Sequence, residues 1–540
     1  MITRLVISNL FRYQNFEITF NEKLNILVGD NDAGKSTILS AIEMVLQGRL
    51  RGRPLAYEIS PHWFNKQTID KYFEDLRADS RTETPAIVVE AYFTDDPKLA
   101  RFKGKNNTLV LNVPGVRLDI RLDDRYLEEH KTYVSQPDLV STLPVELFSI
   151  ERHDFAGQPI DPRHPPVNAV LIDAANLRLE SGTDYYLRRS IETHLPAEAR
   201  ARLSLAFRSH REKLETDTAF ATANEMIAKE KATLGDRILS LSTDATPRSS
   251  WEANLVPHLD DIPFGQIGQG EQSAFKLLLA LSKSSSERQV VMVEEPENHL
   301  TYANLNVLIE KIVQSLKNDQ QLLLTTHSSF VLNKLGIDKL RFLSANDVTE
   351  VKSLSADTLN YFERLPGYDT LRMLLAKSTI LVEGPSDELI VQKAYFQSHK
   401  KLPIADGVDV FSVGSLAFRP FLEFAKALQK RVAVITDLDD DSSDAKARDR
   451  FSEFEEDDGR IRGFIGEVVD GQTLEPQLVA SAGRSNLNSV LGKSYETDAD
   501  LVEYMVRHKA EVALKMFKTD VDLTMPAYLS NAINHARNKT

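Results

Sequence analysis

Apolar residues recur in two rhythms along the chain, and the places where one rhythm gives way to the other divide it. Short apolar runs predict strands at Thr3 to Ile7, Phe16 to Phe20 and Leu24 to Val28. The last run breaks into a glycine loop, and helical spacing follows from Ser36 to Leu46, giving a strand–loop–helix unit. Between about Ala56 and Val145, alternations such as IVVEAYF (Ile87 to Phe93), punctuated by Pro and Gly, predict a β-rich lobe. From about Asn168 to Ser242 the pattern turns to long helical periodicity, as in ARARLSLAFRSHREKL, and predicts a helical insertion. Strand and helix alternation resumes at VVMVEE (Val290 to Glu295) and LLLTTHSS (Leu322 to Ser329). A new αβ module begins near Lys377, with strands at Thr379 to Val382 and Val432 to Asp437. The predicted class is therefore α/β, in four stretches: 1–167, 168–245, 246–376 and 377–540.

Composition narrows what such a chain does. At 540 residues it is longer than one compact core needs, so two or three domains are expected. No apolar stretch approaches the roughly 18 residues of a membrane span, and the opening MITRLVISNL has no long apolar core of a secretory signal behind it. The absence of cysteine excludes a disulfide, a zinc ribbon and a thiol nucleophile, and fits a cytoplasmic setting. A net charge of -14 gives no global electrostatic footprint for DNA. It leaves DNA open as a partner, because bound cations invert the local field where a metal-dependent nuclease concentrates Asp and Glu.

GDNDAGKST (Gly29 to Thr37) satisfies the phosphate-loop pattern after a predicted strand and at the start of a predicted helix. Its glycines let backbone N–H groups approach phosphate oxygens, Lys35 reaches the β and γ phosphates, and Ser36 ligates Mg²⁺. The candidate nucleotide-binding residues are Gly29, Asn31, Ala33, Gly34, Lys35, Ser36 and Thr37. Downstream, IGQGEQSAFKLLLAL (Ile267 to Leu281) is a glycine turn carrying Gly268 and Gly270 into an amphipathic helix. The apolar run VVMV then delivers Glu294 and Glu295 to a strand end, where ligands bind in open α/β sheets.

A second constellation is acidic. The strand Thr379 to Val382 ends at Glu383, a Gly-Pro turn follows, and Asp387 and Glu388 open a helix. The strand Val432 to Asp437 runs into Leu438, Asp439, Asp440 and Asp441. Two strands thus present carboxylates at their C-terminal ends. Such oxygen ligands suit Mg²⁺ or Mn²⁺ and lack the His and Cys of a zinc site. Two such ions about 4 Å apart activate water and stabilise the leaving oxygen in phosphodiester cleavage. An acidic run is as often a solvated face, and for Asp440 and Asp441 both readings stay open.

These motifs resemble known families. The ordered set of phosphate loop, Gly268–Gly270 turn, paired glutamates and His327 resembles the ABC-type ATPases. That resemblance implies that Glu294 assists Mg²⁺, Glu295 polarises the attacking water and His327 senses the γ-phosphate. It also implies a head-to-tail pair of ATP sites, with Gly268 and Gly270 completing the site of another protomer. Most such sequences have Asp where Glu294 stands, and no glutamine occupies a persuasive Q-loop position. Glu383 in VEGPSD together with Asp437-x-Asp439 resembles a Toprim domain. An ABC-type ATPase followed by Toprim resembles the OLD (overcoming lysogenization defect) family of ATP-dependent nucleases, implicated in defence against phage.

The resemblance adds Glu475, in LEPQLV (Leu474 to Val479), as a metal ligand or metal-orienting group. It adds Lys509, in HKAEVALKMF (His508 to Phe517), as a stabiliser of charge on the scissile phosphate. The implied metal set is Ser36 and Glu294 with ATP, and Glu383, Asp387, Asp437, Asp439, Asp441 and Glu475 in Toprim. The implied cofactors are ATP and Mg²⁺ or Mn²⁺, two ions in the Toprim site. The implied partners are DNA and a second copy of the chain held through the helical insertion, with room for a partner protein or RNA and none for a membrane. The expected activity is an ATP-regulated DNA endonuclease or nickase. The alternatives are an ATP-switch scaffold with an inactive Toprim and a Toprim topoisomerase, which needs a tyrosine nucleophile.

Overall fold

A computed structural model describes residues 1–540 except 79–81, 137–139, 141, 162–164, 174–194, 230–240, 244–257, 283–288, 299, 317–318, 345–346, 352–353, 365–368, 415–416, 439–450, 456–458 and 538–540. The chain forms two compact units, Met1–Leu24 with Ser36–Thr325, and Asn25–Lys35 with Thr326–Thr540.

The first unit has two sheets. In the antiparallel one, Ile2–Leu10 pairs with Tyr13–Thr19 on one side and Ile87–Phe93 on the other, followed by Val113–Leu122 and then Phe148–Asp154. Alternation does the sorting here: along Tyr13–Thr19, Tyr13, Phe16 and Ile18 are buried while Gln14, Asn15 and Glu17 are exposed. The predicted β-rich lobe is interrupted by the helix Lys66–Arg77, capped by Asn65, whose side chain accepts from the Thr68 N–H at 3.3 Å.

The second sheet of this unit is parallel: Gln289–Glu294 lies between Asn168–Asp173 and Gln320–Thr325. Parallel strands are covered on both faces, and all six residues of Gln320–Thr325 are buried. Asn168–Asp173 corrects the sequence reading, which began the helical insertion at Asn168. NAVLID is too short an apolar run for its period to separate strand from helix. Helix does follow, in Ala197–Glu215 and Thr218–Lys229, which leave Leu205 and Met226 exposed. The rest of the expected insertion lies largely outside the described residues.

In the first unit the phosphate-loop helix, Lys35–Gln47, is held at its C-terminal end by Arg152. The guanidinium donates to Val45 O at 3.0 Å and Leu46 O at 2.6 Å, satisfying carbonyls that the helix end leaves without a partner.

In the second unit, Leu24–Gly29 pairs in parallel with Leu340–Ser344, Ile26 opposite Leu340, and Asp347–Glu350 adds an antiparallel edge. A separate four-stranded parallel sheet has the spatial order Val408–Ser412, Ser378–Val382, Arg431–Thr436, Ile461–Ile465. The first strand of this sheet in the chain is the second in space, so the chain order reverses between Ser378–Val382 and Arg431–Thr436. That reversal opens a crevice beyond the C-terminal ends of the two strands. The helices Pro385–His399 and Ala527–Arg537 pack on the same strands, and Ile380, Val382, Ile390, Ala433, Ile435 and Leu529 share their core. No helix among the described residues is long and apolar enough to cross a membrane.

Candidate active sites

The phosphate loop is wound tightly. Asp32 and Gly34 take positive φ, 67° and 91°, and Ala33 N–H closes a turn on Asp30 O at 3.0 Å. Gly29 has no room for a side chain, since a Cβ there would meet Leu343 O at 2.5 Å. Lys35 is buried and its ammonium donates to Gly29 O at 2.8 Å and Asp30 O at 3.0 Å, so it braces the loop from inside. Asn31 is exposed in the loop, and Thr37 follows Ser36 in the first turn of the helix.

In the first unit Ser36 Oγ donates to Glu294 Oε1, which joins the hydroxyl and the carboxylate proposed to share a metal. Glu294 ends its strand, and Glu295 stands one residue beyond it with φ at 47°. A non-glycine residue rarely adopts that region, and the surroundings impose it. Glu295 N–H donates to Thr325 O at 3.1 Å, and its carboxylate accepts from Asn298 Nδ2 at 2.9 Å. His327 lies just past the end of Gln320–Thr325, and Ser328 after it caps the helix Ser329–Leu335. Gly270 is buried in the first turn of Gln269–Ser282, and Gly268, just before it, faces open space.

The second unit gathers the acidic set at the crevice. Glu383 Oε1 accepts the Asp437 N–H at 2.9 Å and the Thr436 hydroxyl, which ties the two strand ends together. Asp387 opens the helix Pro385–His399 and accepts the Gly384 N–H at 2.9 Å. Glu475, buried at the start of Leu474–Ala482, accepts the Thr473 hydroxyl at 3.0 Å, and Lys509 Nζ lies 3.0 Å from its other oxygen. Five of the residues singled out in the sequence therefore interact: Glu383, Asp387, Asp437, Glu475 and Lys509. Asp439, Asp440 and Asp441 lie outside the described residues. Thr436 was in plain view in TDLDDD but drew no assignment, and nothing in the sequence singled out Tyr528, which lines the same cavity.

The electrostatics follow from this crowding. Burial pushes the Asp437 carboxyl up to about 8, helped by Asp387, Glu383 and Glu475 and opposed by Lys509. Burial likewise raises Asp387 to about 6; the Gly384 N–H opposes it, and Glu383 and Glu475 reinforce it. Burial disfavours the charge on Lys509, but the hydrogen bond and attraction of Glu475, with Asp437 and Asp387, outweigh it and raise its pKa.

One ammonium does not balance four carboxylates, and the donors are all oxygen, which fits a hard divalent cation. Among the described residues no three His, Cys, Asp or Glu side chains already form a metal cage.

Both raised carboxyls bind protons more tightly in the folded chain than in the unfolded one, where a carboxylate titrates near ~4. Their stabilising contribution is complete below that pH and declines as pH rises, until Asp387 has ionised near 6 and Asp437 near 8. Chelator-treated protein is therefore expected to melt at progressively lower temperature from pH 5 to pH 8.5, with saturating Mn²⁺ flattening the profile. A metal-free melting temperature that rises over this interval would contradict the cluster as described.

Two family models match the chain. The sequence model of the family described as "AAA domain, putative AbiEii toxin, Type IV TA system" matches residues 24–333. The model "Overcoming lysogenization defect protein-like, TOPRIM domain" matches residues 374–439. Among curated proteins, the DNA double-strand break repair Rad50 ATPase of Methanopyrus kandleri is 50% identical over 46 residues, 8% of this chain; the match spans 5% of that relative's length. Among solved structures, the C-terminal region of the Burkholderia pseudomallei OLD protein is 20% identical, covering 30% of this chain and 97% of its own, with a TM-score of 0.26. The SMC head domain of Thermotoga maritima is 11% identical, covering 65% of this chain and 99% of its own, at a TM-score of 0.29. The first sequence model takes in more than half of the chain and the second begins behind it. The protein belongs to that AAA-domain family, an ABC-type ATPase followed by an OLD-like Toprim domain.

Proposed function

We propose that this chain is an ATP-binding, divalent-metal-dependent DNA endonuclease or nickase of the OLD type, acting in phage defence or DNA processing in the cytoplasm. The observation that carries the reading is the convergence of Glu383, Asp387, Asp437 and Glu475, with Lys509, at the switch point of a parallel sheet. A scaffold with an inactive Toprim has no use for four carboxylates held together against their own repulsion.

The division of labour follows the chain. Residues 1–173, which include the strand Asn168–Asp173, and 246–376 form the ATPase, the rest of the insertion up to 245 joins two copies, and 377–540 cut DNA. In the ATPase, Lys35, Ser36 and Glu294 would hold Mg²⁺-ATP, with Glu295 placed to take a proton from the attacking water and His327 to sense the γ-phosphate. Gly268 and Gly270 serve the site of the partner copy. ATP regulates assembly or access to DNA, because hydrolysis of a phosphodiester is itself downhill.

In the Toprim unit, Glu383, Asp387, Asp437 and Glu475, with Asp439 and Asp441, would hold one or two Mg²⁺ or Mn²⁺ ions, which supply Lewis acidity and charge neutralisation. Glu383 also fixes the Asp437 backbone, so it sets the spacing of the two strand ends. Lys509 keeps its charge through Glu475 and stabilises the negative charge that develops on the scissile phosphate.

The test is the topology of the product. Supercoiled plasmid incubated with the protein and Mn²⁺ or Mg²⁺ should become open circles or linear DNA. Relaxed, covalently closed circles would replace the nuclease reading with a topoisomerase, and unchanged plasmid under every divalent metal would favour the scaffold.

A further inference from the structure

Thr436 is the last residue of Arg431–Thr436 and is only 2% exposed. The neighbouring strand Ser378–Val382 pairs with this one from Ser378 opposite Arg431 to Leu381 opposite Val434, and there the backbone ladder between them stops. Two residues beyond that last pair come Glu383 on one side and Thr436 on the other, and side chains take over the joining of the strands. The Thr436 hydroxyl donates to Glu383 Oε1, and the Asp437 N–H donates to the same oxygen at 2.9 Å. Asp437 O also lies 3.4 Å from the hydroxyl, but a hydroxyl has one proton and the carboxylate is the stronger acceptor. The backbone of Glu383 is fixed from the opposite neighbour, because its carbonyl accepts the Ser412 hydroxyl at 3.2 Å.

Valine has the same branched shape and suits a buried strand end without the cost of burying a hydroxyl. The hydroxyl at position 436 therefore has its use in Glu383. With two donors on Oε1, the other oxygen, Oε2, has no hydrogen bond or ion pair among the described residues and is the one left to a cation. A carboxylate restricted to one oxygen suits the octahedral order of Mg²⁺ and Mn²⁺, whereas Ca²⁺ also takes bidentate carboxylates in looser geometry.

We propose that Thr436 is a positioning residue whose hydroxyl occupies one oxygen of Glu383 and so presents the other, alone, to the Toprim cation, which favours Mg²⁺ or Mn²⁺ over Ca²⁺. This rests on the metal-site reading of the Toprim unit. In this role Thr436 touches neither the cation nor DNA and acts through Glu383. Partners that orient a metal ligand in this way contribute about 10- to 100-fold to metal affinity.

The experiment measures Mn²⁺ and Ca²⁺ affinity by calorimetry on nucleotide-free, full-length protein, counting the binding that Glu383→Ala removes, together with the melting temperature of chelator-treated protein. Two pairs are compared, wild type with Thr436→Val and Thr436→Ser with Thr436→Ala. Within each pair the hydroxyl is lost and little else changes. The expected result is a fall in Mn²⁺ affinity of roughly 10- to 100-fold within each pair, a smaller fall for Ca²⁺, and a metal-free melting temperature that does not follow the affinity. Thr436→Ser is expected to keep most of the wild-type affinity. Wild-type Mn²⁺ affinity in Thr436→Val overturns the proposal, as do equal losses for the two ions or a Thr436→Ser protein that binds as weakly as Thr436→Ala. If Thr436→Val does not fold, the serine and alanine pair decides alone. Wild-type protein that binds Mn²⁺ but cleaves no plasmid under any divalent metal defeats the nuclease reading and leaves this proposal to the affinities. Wild-type protein that binds no Mn²⁺ at Glu383 overturns it.

Discussion

Asp437→Asn is expected to lower metal-dependent DNA cleavage by roughly 10²- to 10³-fold or more while raising the melting temperature of the metal-free protein at pH 8. The two effects have opposite signs because one carboxylate serves two ends. Without a cation, Asp437 is a buried acid among three others, and its carboxyl holds its proton up to about 8. Ionising it costs the fold free energy that an amide of the same shape does not cost. With a cation, the same carboxylate is a donor that an amide replaces poorly. Cleavage rate, metal-free melting temperature and Mn²⁺ affinity measured on one preparation separate these effects. A variant that loses activity and melts lower without metal would mean that Asp437 supports the fold and that its crowding is not a metal-site strain.

Glu295→Gln is expected to reduce ATP hydrolysis by roughly 10²- to 10⁴-fold with nucleotide binding retained. The backbone at Glu295 is fixed by Thr325 and by its positive φ, and neither depends on the side-chain charge. The amide keeps an oxygen for Asn298 and loses only the capacity to take a proton. Phosphate release and binding of a fluorescent ATP analogue test both halves. Hydrolysis at the wild-type rate would remove Glu295 from the chemistry. Metal-dependent nicking is expected to persist in this variant, since the phosphodiester step draws nothing from ATP.

Much of this was legible in the sequence because the chemistry sits at the ends of regular elements. Glycines at fixed spacing after a strand, and carboxylates directly after apolar runs, are local signals, and Gly29 to Ser36, Glu294, Glu383 and Asp437 were read from them. Glu475 and Lys509 carried no such signal. They came from family resemblance, and their 3.0 Å ion pair is a long-range contact that no periodicity announces.

Other features were misread or missed for physical reasons. Asn168–Asp173 was placed in a helical stretch because six apolar-rich residues do not fix a period. Helix Lys66–Arg77 was absorbed into a β-rich reading because its start signal is a single asparagine cap. Tyr528 was invisible because a lone tyrosine opening a C-terminal helix says nothing about which strand ends that helix will cover.

The account turns on the acidic cluster as a cleavage centre whose chemistry is separate from the ATPase. The most direct measurement is a single nicking time course on supercoiled DNA with saturating Mn²⁺, comparing wild-type protein, Glu383→Ala and Lys35→Ala. Glu383→Ala takes away the carboxylate that bridges to Asp437, and Lys35→Ala takes away the ammonium of the phosphate loop. The account predicts that nicking disappears in Glu383→Ala and is retained or only modulated in Lys35→Ala. Nicking that survives in Glu383→Ala, or that is lost only in Lys35→Ala, would contradict it.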